Sequence, residues 1–177
     1  MNTGQMLTVL GAVMLLSMVS MGVNSMLLDK TTTMLEAEAT LNAVSLAQSM
    51  IDEVMSKSFD AATVTGRVYR ADEFTSYGGL GPSSYESGNV GTMDTYPYKS
   101  TKYFNDVDDY NRYHRKAFTP TMGNFFITDS VYYVSETNPD QKSTTPTYYK
   151  KVVVTVRHPN MSYPLQISDA AVYRAYF

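Results

Sequence analysis

The chain has 177 residues, a formal net charge of −3 and no cysteine. Disulfides, Cys-ligated zinc and thiol catalysis are therefore excluded, and the acidic balance argues against nucleic acid as a direct ligand. Two histidines leave little room for a His-rich metal centre. No G-x-S-x-G, P-loop, HExxH or dinucleotide fingerprint is present, so no catalytic or cofactor-binding residue is expected and the chain does not read as an enzyme.

Residue types segregate along the chain. The first 28 residues carry no charged side chain, and nine of the 12 methionines lie in the first 55 residues. All 15 tyrosines and all 7 phenylalanines lie after residue 58. The chain thus divides into an aliphatic stem, residues 1–60, and an aromatic, polar head, residues 61–177.

From Met6 to Leu28 the stem is mostly Leu, Val, Met, Ala, Gly and Ser. At ~1.5 Å of rise per residue this stretch is long enough to cross a bilayer core. Residues 1–28 are therefore read as a membrane-spanning or filament-core segment. A cleaved signal peptide is the rival reading; against it stand the missing basic n-region and an apolar run long for an h-region. The helix is expected to continue, because no proline occurs before Pro82 and no glycine between Gly22 and Gly66. Past Asp29, the residues Met34, Ala37, Leu41, Val44, Ala47, Ile51, Val54 and Met55 recur at spacings of three and four, a stripe suited to cover by the head. Phe59 and Asp60 mark its end.

At ~100° per residue, Gly4, Gly11 and Gly22 fall close to one line along the helix, flanked by Thr8, Leu15 and Met18. Small residues on one face let helix backbones approach closely in an apolar medium. Glycine is also simply common in membrane helices. The expected assembly interface comprises Met1, Gly4, Gln5, Thr8, Gly11, Leu15, Leu16, Met18 and Gly22.

In the head, Pro, Gly, Ser, Thr, Asn and Asp recur throughout, which suits short strands and long loops. Strands are expected over Arg67 to Phe74, Phe125 to Ser135, Tyr148 to Arg157 and Leu165 to Phe177, forming an antiparallel sheet with one face on the stem. Ser76 to Thr121 reads as a long Gly- and Tyr-rich loop whose tyrosines either make subunit contacts or pack the loop onto its own sheet. The expected fold class is α+β: a long N-terminal α-helix on a small antiparallel β-sheet.

The stem sequence Val44-Ser45-Leu46-Ala47-Gln48-Ser49-Met50-Ile51-Asp52-Glu53, followed by Phe59-Asp60, resembles that of type IV pilin-like proteins, notably minor pilins and type II secretion pseudopilins. Tyr148 to Val156 resembles the penultimate strand of such heads, and Asn105 to Asn111 a loop found in some of them. The resemblance implies a subunit held by its helix in the cytoplasmic membrane and then assembled into a helical extracellular filament, with lipid, assembly machinery and identical subunits as partners. It also implies a leader cleaved ahead of the mature residue; here either Met1 is that residue or the leader was never present. Gln5 stands where the family carries a Glu that pairs with a neighbour's terminal amine. A neutral amide can still accept a hydrogen bond, but the charge pair is lost.

Asp106, Asp108 and Asp109, with Asn105 and Asn111, form the densest carboxylate cluster and the only calcium candidates; the spacing is not that of an EF-hand, and a solvated or capping loop is the plainer reading. His114 sits in a small basic patch and is expected to pair with these aspartates. His158 is expected to be structural. Asn160-Met161-Ser162 is a formal N-glycosylation sequon. The leading expectation is a pilin-like filament subunit; the alternatives are a low-copy minor pilin or pseudopilin that primes a pilus or secretion apparatus, and a membrane-anchored binding domain that never polymerises.

Overall fold

The computed structural model describes residues 2–174. The chain divides into two compact units, Met1–Glu38 and Ala39–Phe177.

One unbroken helix, α1, runs over Thr3–Met55, as the absence of proline and of late glycines requires. In the first unit its hydroxyls turn inward to the helix backbone. Thr8 Oγ1 donates to the Gln5 carbonyl at 2.9 Å, Ser17 Oγ to Val13 at 2.8 Å and Ser25 Oγ to Gly22 at 2.9 Å. Each of these three hydroxyls is thereby satisfied locally, the condition for placing it in an apolar medium.

In the second unit, α1 buries Ala39, Ala43, Ala47, Met50, Ile51 and Val54. The expected stripe is correct at Ala47, Ile51 and Val54 but not at Leu41, which is 72% exposed, or Val44, at 41%, and its earlier members Met34 and Ala37 are exposed as well. The buried face is instead an i, i+4 ladder of three alanines, each 0% exposed. Small side chains let the helix axis approach the sheet closely, and a leucine on that ladder would hold it off.

Among the described residues the sheet has five strands in the order β1 (Asp94–Thr95), β2 (His114–Thr119), β3 (Gly123–Tyr133), β4 (Tyr149–Arg157) and β5 (Leu165–Val172). Pairings β2–β3, β3–β4 and β4–β5 are antiparallel, as expected, but β1 pairs with β2 in parallel, so the sheet is mixed. The α+β class holds. Strand β3 alternates regularly, burying Phe125, Ile127, Asp129, Val131 and Tyr133. Strand β4 buries Lys150, Val152, Val154 and Val156 on the same inward parity.

Three expectations are corrected. Arg67 to Phe74 is not a strand: it contains a 3₁₀ turn at Ala71–Glu73 that brings Phe74 into the core. The final strand ends at Val172; Ala175 to Phe177 lie outside the described residues. Ser76 to Thr121 is not one long loop. It holds helices α3 (Ser84–Val90) and α4 (Ser100–Tyr103), strands β1 and β2, and 3₁₀ turns at Tyr77–Gly79 and Asp108–Tyr110. Helix α2 (Ala61–Thr65) precedes them, capped by Asp60. Within the segment, Tyr110 and Tyr113 are core residues stacked edge-on against Phe104, whereas Tyr85 and Tyr96 are exposed.

Candidate functional site

The residues expected to form an assembly interface lie on the first unit's helix. Met1 is outside the described residues. Leu15, Leu16 and Met18 are 66%, 71% and 74% exposed, and Gly4, Gln5, Thr8, Gly11 and Gly22 are also exposed. A Cβ built on Gly4, Gly11 or Gly22 would meet nothing within 4 Å. Gln5 uses its amide oxygen to accept from the Asn2 N–H at 3.4 Å. The helix carries a stretch long and apolar enough to cross a membrane, and none of that stretch is buried by the rest of the chain.

The acidic loop behaves differently from a solvated one. Asp106, Asp108 and Asp109 are each 2% exposed. Asp106 Oδ1 accepts from the backbone N–H groups of Asp108 and Asp109, and Asp109 Oδ2 accepts from those of Asn105 and Asp106. Asp108 Oδ1 receives Lys150 Nζ at 2.7 Å. The loop is thus a capping structure whose oxygens face donors of the chain itself, which gives the calcium reading no support. Among the described residues, no cluster of His, Cys, Asp or Glu is arranged to hold a metal.

Lys150 is the centre of this arrangement. Its ammonium is fully buried and donates to Phe59 O (2.7 Å), Asp60 Oδ2 (2.8 Å) and Asp108 Oδ1. Asp60 also accepts from the N–H groups of Ala62 and Thr75, from Thr75 Oγ1 and from Tyr133 OH. Burial alone would raise the Asp60 pKa; the charge and hydrogen bond of Lys150, with the backbone donors, hold it below the ordinary value. Asp106 is pushed up to about 9 by burial and by its hydrogen bond and charge interaction with Asp108. Asp109 is pushed up to about 6, chiefly by burial, against the lowering of its backbone donors.

A second buried network joins the end of α1 to the sheet. Glu53 Oε1 accepts from Arg115 Nη2 at 2.6 Å, Tyr110 OH at 2.9 Å and Ser100 Oγ at 3.1 Å. Arg115 Nε donates to Tyr113 OH, which donates to Asp94 Oδ2 at 2.8 Å. The guanidinium also lies 4.0 Å from the Tyr98 ring centroid.

The histidines take structural places. His114 Nδ1 lies 3.3 Å from Thr128 Oγ1; its partner is thus a threonine across the β2–β3 ladder and not an aspartate of the loop. His158 Nδ1 accepts from the Asn160 N–H, so Nε2 carries the proton and donates to Met122 O at 2.9 Å, with the ring stacked on Phe125. Asn160 is exposed in the turn after β4.

Sequence reasoning missed Lys150, Asp60, Glu53, Arg115 and Asp129. The available signal was parity: Asp129 shares the inward face of β3 with Ile127 and Val131, and Lys150 that of β4 with Val152. Asp129 is 1% exposed and neither carboxylate oxygen has a hydrogen-bond partner. Burial raises its pKa well above the ordinary value, with Arg115 opposing and Glu53 reinforcing. A group whose folded pKa is raised contributes full stability below its unfolded value, ~4, and loses it as pH rises through the folded one. Asp129→Leu should therefore stabilise the second unit by about 1–3 kcal/mol at neutral pH. The gain should shrink toward pH 4, as urea unfolding at several pH values would show.

Comparison with protein families, curated proteins and solved structures finds no match for this chain.

Proposed function

We propose that the chain is the structural subunit of an extracellular, type IV pilus-like filament, assembled by bundling of its apolar N-terminal helix. The observation that carries this reading is the stretch of α1 long enough to cross a membrane and covered by nothing in its own chain. So much apolar surface has two stable settings, lipid and other copies of itself. Passing from lipid into a bundle gains little hydrophobic energy, because the tails already shield the helix; packing and repeated subunit contacts must supply the difference. Gly4, Gly11 and Gly22 supply close approach on one face, and the many methionines fill irregular gaps. The resemblance of residues 44–53 and of Phe59-Asp60 to pilin-like stems points the same way. Before assembly the helix would hold the monomer in the cytoplasmic membrane.

Gly11→Phe tests the seam. Position 11 is open in the isolated chain, and removing a mid-helix glycine favours the helix by up to ~1 kcal/mol. Any loss of assembly therefore reports contacts between chains. Electron microscopy of sheared surface material is expected to show abundant filaments of this one chain for the unaltered protein and few for the variant. Normal filaments from the variant would refute the seam. No filaments from the unaltered protein, with the chain still in the membrane, would favour an anchored monomer.

A further inference from the structure

We propose that Lys150 and Asp108 join through an intramolecular isopeptide bond, with Asp106 serving as the acid beside it. Lys150 Nζ has no exposure and lies 2.7 Å from Asp108 Oδ1, so the carboxyl carbon is no farther than about 4 Å. The aromatic rings of Phe59 and Tyr133 lie near the same nitrogen, with centroids at 4.5 and 5.2 Å. An amine and a carboxyl held this close in a dry site react with an effective molarity on the order of 10⁵–10⁸ M. The surrounding core also keeps out the water that the reverse reaction needs.

Two carboxyls touch the amine, and their surroundings distinguish them. Asp60 receives Ala62 N–H, Thr75 N–H, Thr75 Oγ1 and Tyr133 OH. Those donors favour its ionised form, a poor electrophile and a weak base, so Asp60 orients the amine without reacting. Asp108 instead stands beside Asp106, whose Oδ1 accepts the Asp108 backbone N–H at 3.0 Å and whose carboxyl is held protonated by burial and by its interaction with Asp108. A hydrogen bond from a neutral acid draws electron density from the Asp108 carboxyl and opens its carbon to attack.

The step balances as the loss of one water. Nζ passes one proton along its 2.7 Å hydrogen bond to Asp108 Oδ1, and its freed lone pair bonds to Asp108 Cγ. Asp106 gives its proton to that same oxygen, the Cγ–O bond breaks and water leaves. The surplus proton on nitrogen then returns to Asp106. Nζ has lost two protons, the Asp108 carboxylate one oxygen, and Asp106 regains its starting state. No oxidant or co-reactant enters. The product ties the 3₁₀ turn at Asp108–Tyr110 to strand β4, which is paired on both sides. In a chain without cysteine, such a link would constrain the unfolded state as a disulfide does.

Peptide mapping of the full-length protein, purified in detergent and digested under denaturing conditions, tests this without any variant. The expected result is one branched peptide containing Lys150 and Asp108, lighter than its two parts by one water. Separate, unmodified peptides from the folded protein would overturn the proposal. Asp108→Asn should give a branched peptide of the same mass as the unaltered protein's, formed by loss of ammonia instead of water. A link to Asp60 in that variant would overturn the choice of carboxyl. Asp106→Asn, checked for folding by circular dichroism, should yield separate peptides; a complete link in it would remove Asp106 from the mechanism.

Discussion

Relative to the ion-paired chain, Lys150→Met should destabilise the Ala39–Phe177 unit by about 3–5 kcal/mol, because it leaves two carboxylates buried without their cation; relative to a chain in which the proposed Lys150–Asp108 bond has formed, the loss should be larger still. Asp60 retains Ala62, Thr75 and Tyr133 as donors, but Asp108 Oδ1 loses its ammonium partner. Urea unfolding followed by tyrosine fluorescence isolates the effect, since the chain has no tryptophan and all its tyrosines lie after residue 58. The pH dependence should change as well. Asp60 has a lowered pKa, so its contribution is present above the unfolded value of ~4 and is lost as pH falls through the folded one. Removing Lys150 removes the main source of that lowering. The variant's stability should therefore fall less steeply below pH 4 than that of the unaltered protein. Replacing Lys150 and Asp108 together with apolar residues should recover much of the loss, because a well-packed apolar pair can match a buried ion pair. A double variant as unstable as Lys150→Met alone would contradict this account.

The elements legible in the sequence are those set by neighbours along the chain. Helix α1 follows from more than 40 residues without glycine or proline between Gly22 and Gly66. Strands β3, β4 and β5 follow from alternating burial and β-branched residues, each within two residues of its expected start. Strand β2 escaped notice because His114-Arg115-Lys116 reads as a basic surface patch. Its Arg115 is buried only because Glu53, 62 positions earlier, neutralises it. The buried face of α1 was misjudged because residue size was weighed above closeness: the contact selected Ala39, Ala43 and Ala47, leaving the larger Leu41 outside. The acidic loop was legible as a cap but not as buried, since its cation comes from Lys150, 42 positions after Asp108. In β2 and in the acidic loop, what escaped reading is a charge whose partner lies far along the chain.

Glu53→Ala should cost about 3 kcal/mol, the second-largest loss expected here. Glu53 sits two residues before the end of α1 and collects Arg115, Tyr110 and Ser100 on one oxygen. Without it, the buried Arg115 keeps the Tyr98 ring and, among the described residues, only hydroxyls as hydrogen-bond partners, Tyr113 OH and Ser100 Oγ, with no carboxylate within ion-pair distance. Glu53→Gln keeps an acceptor and should cost nearer ~1 kcal/mol. Combining Glu53→Ala with Arg115→Met should be less damaging than the two separate losses added, because each single change strands the other's charge or polar group. Additive losses would show that the two side chains are independent and that the 2.6 Å contact contributes nothing beyond packing. In the filament proposed above, the network would also bear on assembly. It ties the last turn of α1 to β2 and, through Tyr113 and Asp94, to β1. In a filament held together by its helices, a pull on α1 would pass into the sheet through this ion pair. Filaments of the Glu53→Ala chain should then assemble with the usual yield but shed more subunits under shear. Equal breakage of variant and unaltered filaments would place the load elsewhere.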